Sequence, residues 1–150
     1  MNLSEMDAQE CRALLAISRV GRLGCTRDGM PYVVPISFVY DDGHIYSFSL
    51  VGHKVLAMRG HPQVCLEVDE IHSPSNWWSV LASGRYEELS ETGHWRSERD
   101  HAWSLLQKAR PNWWDPGSKK PPLGGSKPDV YPHLFFRIKV EQITGRRASS

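Results

Sequence analysis

Polar and apolar positions alternate with a period of two from Met30 to Tyr40, where Tyr32, Val34, Ile36, Phe38 and Tyr40 fall on one face. The same alternation returns from Leu134 to Ile143, with Leu134, Phe136, Ile138 and Val140 set against Phe135, Arg137, Lys139 and Glu141. Strands are also expected over Val20 to Arg27, His44 to Leu50, Gln63 to Glu70 and Trp77 to Leu89. Asp28-Gly29 and Asp41-Asp42-Gly43 read as tight turns, because Asp and Gly tolerate positive φ. Pro31 and Pro35 remove ladder donors, so their strand should lie at an edge or carry a bulge. The period becomes helical over Glu5 to Ser18, where Cys11, Leu14, Leu15 and Ser18 recur behind Ser4 as N-cap. A brief helix over His53 to Arg59 is stopped by Gly60-His61-Pro62. A longer one over about Gly93 to Ala109, capped by Ser90 or Thr92, puts Trp95, Ala102, Leu106 and Ala109 on one stripe.

Between these elements, Pro111 to Pro132 is rich in Pro, Gly and Lys and reads as a surface loop. Gly145 to Ser150 reads as a frayed tail. Six short strands joined by hairpin turns, with few helices, imply a mainly β (α+β) chain. The expected architecture is one domain over 1–150: a closed, six-stranded antiparallel barrel with helices on its ends or flank.

Charge and cysteine usage narrow the function classes. Eighteen basic residues against 17 acidic ones give no broadly basic surface, which argues against non-specific nucleic-acid binding. No apolar run is long enough to span a bilayer, and the N-terminus shows no signal-peptide pattern. Cys11, Cys25 and Cys65 form no CxxC and cannot all pair, so they read as small buried hydrophobes in a reducing, cytoplasmic compartment. The seven histidines include no HxxxH or HExxH, so no metal site is expected. Absence of GxSxG, Walker and GxGxxG patterns removes support for hydrolase and Rossmann chemistry. Trp77-Trp78 and Trp113-Trp114 are adjacent aromatic pairs suited to an interface, to a lid or to anchoring a loop.

The chemistry concentrates where the strand ending at Leu50 gives way to Gly52-His53-Lys54. An ammonium at Lys54, in the first turn of a helix, opposes the positive end of that helix's dipole, yet it suits a phosphate that the free backbone N–H groups also bind. His53 offers a second donor, and Gly52 permits close backbone approach. Ser47 and Ser79 carry short hydroxyls on strands. Each residue also has an ordinary structural reading, as a solvated lysine, an exposed histidine, a turn glycine or a strand serine.

The ordered set of features resembles the flavin-binding split-barrel family related to pyridoxamine 5′-phosphate oxidase, and within it the nitroimidazole-resistance-like branch. The likeness is carried by Val20-Gly21-Arg22-Leu23, by Pro31 through Phe38, by Ile45-Tyr46-Ser47-Phe48, by Gly52-His53-Lys54, and by His61 through Cys65. It continues with Trp78-Ser79-Val80 through Gly84, Phe136-Arg137-Ile138 and Thr144-Gly145-Arg146. The resemblance implies a homodimer of six-stranded split barrels with FMN in clefts between subunits. Its flavin contacts would fall on Val34, Pro35, Ile36, Ser37, Ser47, Phe48, Gly52, His53, Lys54 and Ser79. It also implies an FMN-dependent oxidoreductase acting on a small molecule, with NAD(P)H as a possible electron donor and with no nucleic-acid or membrane partner. Two alternatives stay open: a flavin-binding, storage or sensor protein without turnover, and an F420-dependent reductase using basic residues such as Lys119, Lys120 and Lys127. Phe48 stands where that branch often carries a histidine, and a phenylalanine neither donates nor accepts a proton.

Overall fold

In the computed structural model, residues 1–91, 93–109 and 133–150 are described. The loop expected over 111–132, with Trp113-Trp114 and Lys119, Lys120 and Lys127, lies outside them, as does Thr92. In chain order the elements are β1 (Asn2–Met6), α1 (Ala8–Ile17), β2 (Val20–Arg27), β3 (Met30–Ser37), β4 (Val39–Asp41), β5 (His44–Leu50), α2 (His53–Gly60), β6 (Gln63–Ser73), β7 (Asn76–Leu89), α3 (Arg96–Ala109) and β8 (His133–Ser149). A 3-10 turn over Gly93–Trp95 leads into α3.

All strands are antiparallel neighbours in one eight-stranded sheet, with the path β3-β2-β6-β7-β8-β5-β4 and with β1 added to β8. The expected closed barrel is therefore corrected to an open one, because the end strands β3 and β4 share no ladder. A side chain crosses near that split: Ser47 Oγ on β5 donates to the Ser37 carbonyl at the end of β3, at 2.7 Å. The two hairpin turns form as their residues require. Asp28 and Gly29 have φ of 51° and 77°, and Asp42 and Gly43 have φ of 44° and 81°, a pairing that matches the twist of the flanking strands.

Three other expectations need correction. Ser4 does not cap the first helix: it lies in β1 opposite Arg147, and Asp7 is the N-cap, accepting from Glu10 N at 2.8 Å. Aspartate caps as well as serine does, and the chain before it is taken up by pairing with β8. The expected tail at Gly145 to Ser150 is instead the end of β8, held by ladders to β1 and β7 on its two sides. The long strand from Met30 to Tyr40 breaks at Phe38, whose backbone N–H turns to the Arg19 carbonyl at 2.9 Å. Before the break the chain pairs with β2, and after it with β5. Phe38 and Val39 are both buried, Phe38 in the inner core and Val39 in the layer beneath α3.

The curled sheet encloses Leu23, Phe38, Ile45, Leu66, Phe136 and Ile138, all fully buried, and α1 and α2 close the interior with Leu15 and Met58. Cys11 and Cys25 are buried in the same core as free thiols, in keeping with their reading as small hydrophobes, and burial pushes both thiols up. A second apolar layer lies outside the sheet, where α3 sets Ala102 and Leu106 over Phe135, Tyr46 and Leu89. Between Ser83 and Gly84 the β7–β8 register shifts, so that Glu141 on β8 has no partner of its own.

Candidate functional site

The end of β5 and the start of α2 meet at Gly52. Its backbone is extended (φ −142°, ψ −158°), its carbonyl accepts from Leu56 N at 3.1 Å, and no side chain caps the helix. The first-turn N–H groups of α2 are thus left for another acceptor. His53 is exposed there, and Lys54 is half-buried. Burial lowers the pKa of Lys54, and the thiol of Cys25 on β2 is the one neighbouring group that opposes the shift. Among the described residues no carboxylate pairs with Lys54. An ammonium that is partly desolvated, without a counter-charge and at the positive end of a helix is unfavourable alone, and a bound anion relieves all three conditions.

The helix that carries Lys54 is clamped at its other end. Arg59 donates to both Glu88 oxygens, at 2.8 and 3.1 Å, and Tyr86 Oη donates to Glu88 at 2.7 Å. The Arg59 guanidinium holds the Glu88 carboxyl below the usual carboxylate range, against the opposing effect of partial burial. Burial and the adjacent carboxylate raise the Tyr86 phenol, so it stays protonated as donor. A depressed carboxyl stabilises the fold at pH above its unfolded value of 4.5, and that stabilisation is lost as pH falls through the lower folded value. Glu88→Gln is expected to lower the thermal midpoint at pH 7, with a gap that narrows as pH falls below 4.5. Melting curves over that pH range check this, and a gap that does not change with pH would exclude the ion pair as its source.

The other expected site residues are only partly brought together. Ser47 is 2% exposed, and its hydroxyl is used inside the sheet on Ser37, while Ser49 donates to the Leu50 carbonyl at 2.8 Å. Phe48 faces the opposite side, its ring 4.9 Å from that of Phe135 and packed in the α3 layer. Val34 and Ile36 pack on the inner core, Pro35 is exposed opposite Arg22, and Ser37 is half-buried. Ser79 is remote. Ser47 pairs with Phe136, Phe136 pairs with Glu88, and Glu88 is nine residues (88 − 79) from Ser79 on β7. At about 3.3 Å per residue, that is roughly 30 Å along the sheet. Along the sheet, Ser79 therefore lies far from Ser47.

Two concave regions were not read from the sequence. A cleft of about 360 Å³ between α2 and the β2–β3 hairpin is lined by Arg27, His53 and His61 among others. At the far end of the sheet, a crevice of about 460 Å³ holds both Trp77 and Trp78, with the Arg147–Glu10 ion pair at its edge. Both tryptophans are half-buried at this crevice, and Trp78 also packs against the inner core. Among the described residues no three His, Cys, Asp or Glu side chains gather as metal ligands, and no helix is long and apolar enough to cross a membrane.

The sequence and fold are similar to those of known proteins. An uncharacterized protein of Rhizobium meliloti strain 1021 is 41% identical over 146 residues, covering 95% of this chain and 93% of that one. The crystal structure of a FAD-binding protein from Mesorhizobium loti is 43% identical, with 99% of this chain and 100% of that chain covered and a TM-score of 0.79. A candidate 5-nitroimidazole antibiotic resistance protein from Bacteroides thetaiotaomicron shares the fold at 20% identity and TM-score 0.68, covering 100% and 93% of the two chains. A family model described as pyridoxamine 5′-phosphate oxidase matches residues 7–147. That match spans the split sheet and the uncapped start of α2 alike, and the chain belongs to the pyridoxamine 5′-phosphate oxidase family.

Proposed function

We propose that the chain is a flavin-dependent oxidoreductase that holds FMN by its phosphate at the start of α2 and acts on a small molecule at the interface of a homodimer. The observation that carries this reading is Lys54: half-buried, in the first turn of an uncapped helix and without a carboxylate partner among the described residues. Charge, donors and position all fit a phosphate. Lys54 would supply the ammonium, the first-turn N–H groups the directional donors, and His53 a further donor at the exposed rim. Gly52 leaves the approach clear, since a Cβ there would have no atom within 4 Å. Val34 and Ile36 keep β3 firmly placed beside that end of the sheet, and the Ser47–Ser37 hydrogen bond fixes the split. Flavin, when bound, supplies the redox chemistry, and the chain binds, orients and shields it. Phe48 lies under α3 and has no proton to give, so no side chain is assigned as general acid.

Ser79 makes the case for two copies. It lies far along the sheet from Ser47, and a second copy related by a two-fold axis can bring its Ser79 end to the Lys54 end of the first. FAD is a second reading, favoured by the 43% identical relative described as FAD-binding; FMN and FAD share the ring, the ribityl chain and the phosphate that Lys54 would meet.

Purified protein tests the reading directly. A yellow dimer with one flavin per chain is expected, bleached by NADH or NADPH and restored by an acceptor. Bound flavin that is never reduced identifies a binding or storage protein. Colourless protein whose melting temperature shifts with neither FMN nor FAD overturns the proposal.

A further inference from the structure

Apart from His53, the residues of the cleft between α2 and the β2–β3 hairpin have no role in the function proposed above. Arg27, His53 and His61 set three nitrogen-bearing side chains around it, against the single carboxylate of Asp28. Among the described residues none of the three has an ion-pair partner. The Arg27 guanidinium carbon lies 5.5 Å from the centroid of the Tyr32 ring, within range of a cation–π contact. Leu56 lies on the cleft wall and is 57% exposed, a large apolar surface without cover.

The cleft starts beside the Lys54 position, since His53, which lines it, is the residue next to Lys54 at the start of α2. At about 360 Å³ the cleft exceeds the needs of a lone phosphate and lies at the lower end of the range for small-molecule sites.

Resting on the flavin reading above, we propose that this cleft seats the adenosine 5′-phosphate moiety of a dinucleotide. Arg27 is its phosphate contact and specificity-determining residue, His61 is a second donor, and Leu56 is the apolar platform beneath the base. Two ligands carry that moiety: FAD, whose adenylate is joined to the phosphate that Lys54 would meet, and a pyridine dinucleotide serving as electron donor. The chemistry recognised is the same, and the test separates the sources.

The experiment is calorimetric titration of FMN, FAD and ADP into the wild type, Arg27→Glu and Arg27→Lys. Where the adenylate belongs to FAD, the expected result is FAD at least about tenfold tighter than FMN, a margin that Arg27→Glu removes while FMN affinity stays within about twofold. Arg27→Lys should keep part of the margin, since it retains the charge but not the fork. ADP should compete with FAD. If FAD and FMN bind alike but ADP binds saturably, is displaced by NADPH and is lost in Arg27→Glu, the moiety belongs to the pyridine nucleotide and the cleft assignment stands. No ADP binding at millimolar concentration overturns it, as does an Arg27→Glu variant that weakens FMN and FAD equally. Should neither flavin bind, the flavin reading falls by itself, and ADP titrated alone still decides the cleft.

Discussion

Lys54→Ala is expected to weaken flavin binding tenfold or more while leaving the unliganded fold as stable as before. The two halves of this expectation have one cause. In the free protein the ammonium is half-buried, at the positive end of α2, and has no carboxylate beside it among the described residues. Its charge therefore adds nothing to stability, and alanine is the better helix former. With a phosphate present the sign reverses, because a charge-assisted hydrogen bond in a partly desolvated place contributes roughly 1.5–3 kcal/mol. One factor of ten is about 1.4 kcal/mol, so a loss of tenfold is the lower bound. Titration gives the affinity and a melting curve the stability. An unchanged dissociation constant removes Lys54 from the site, and a large fall in the melting temperature of unliganded protein would mean that the residue is structural.

Gly84→Ala is expected to destabilise the fold by about 3 kcal/mol or more. A Cβ at this position would stand 2.0 Å from the Lys139 carbonyl oxygen, 2.8 Å from the Lys139 carbonyl carbon and 3.1 Å from Ile138 Cγ2. The first two are backbone atoms of β8 beside the register shift at Ser83/Gly84, and β8 is held there between β7 and β5. It cannot retreat without breaking one of two ladders. For a chain of this size each kcal/mol corresponds to roughly 2–4 °C, so the thermal midpoint should fall by roughly 6–12 °C. Gly60→Ala is the matched control, because a Cβ at the end of α2 meets nothing within 4 Å. A loss at Gly84 no larger than at Gly60 would show that the β7–β8 contact is softer than its geometry.

How much of this was legible in the sequence depended on whether a feature is local. Asp28-Gly29 and Asp42-Gly43 were readable as hairpin turns because the positive φ they adopt is a property of those residues. The boundaries of β2, β5 and α2 were equally readable from alternation and from Gly60-His61-Pro62. What escaped was set by distant partners. Gly145 to Ser149 shows no strand pattern and is ordered by backbone ladders to β1 and β7. Ser4 and Asp7 are both good caps, and pairing of β1 with β8 decided between them. At the candidate site, the meeting of Gly52, His53 and Lys54 was legible because these residues are consecutive. That Ser47 spends its hydroxyl on Ser37 was not, since it follows from the curl that brings β3 to β5. Nor did any spacing show that Ser79 lies at the far end of β7, or that Arg27 and His61 flank one cleft with His53.

The measurement that bears most directly on the central claim is a crystal structure of the protein grown with FMN. The account predicts the phosphate at the first turn of α2, within about 2.7–3.2 Å of Lys54 Nζ and of the free backbone N–H groups, with the Ser79 end of a second chain closing the other side. Flavin bound anywhere else, or Lys54 turned away from a phosphate seated in that cleft, would contradict it.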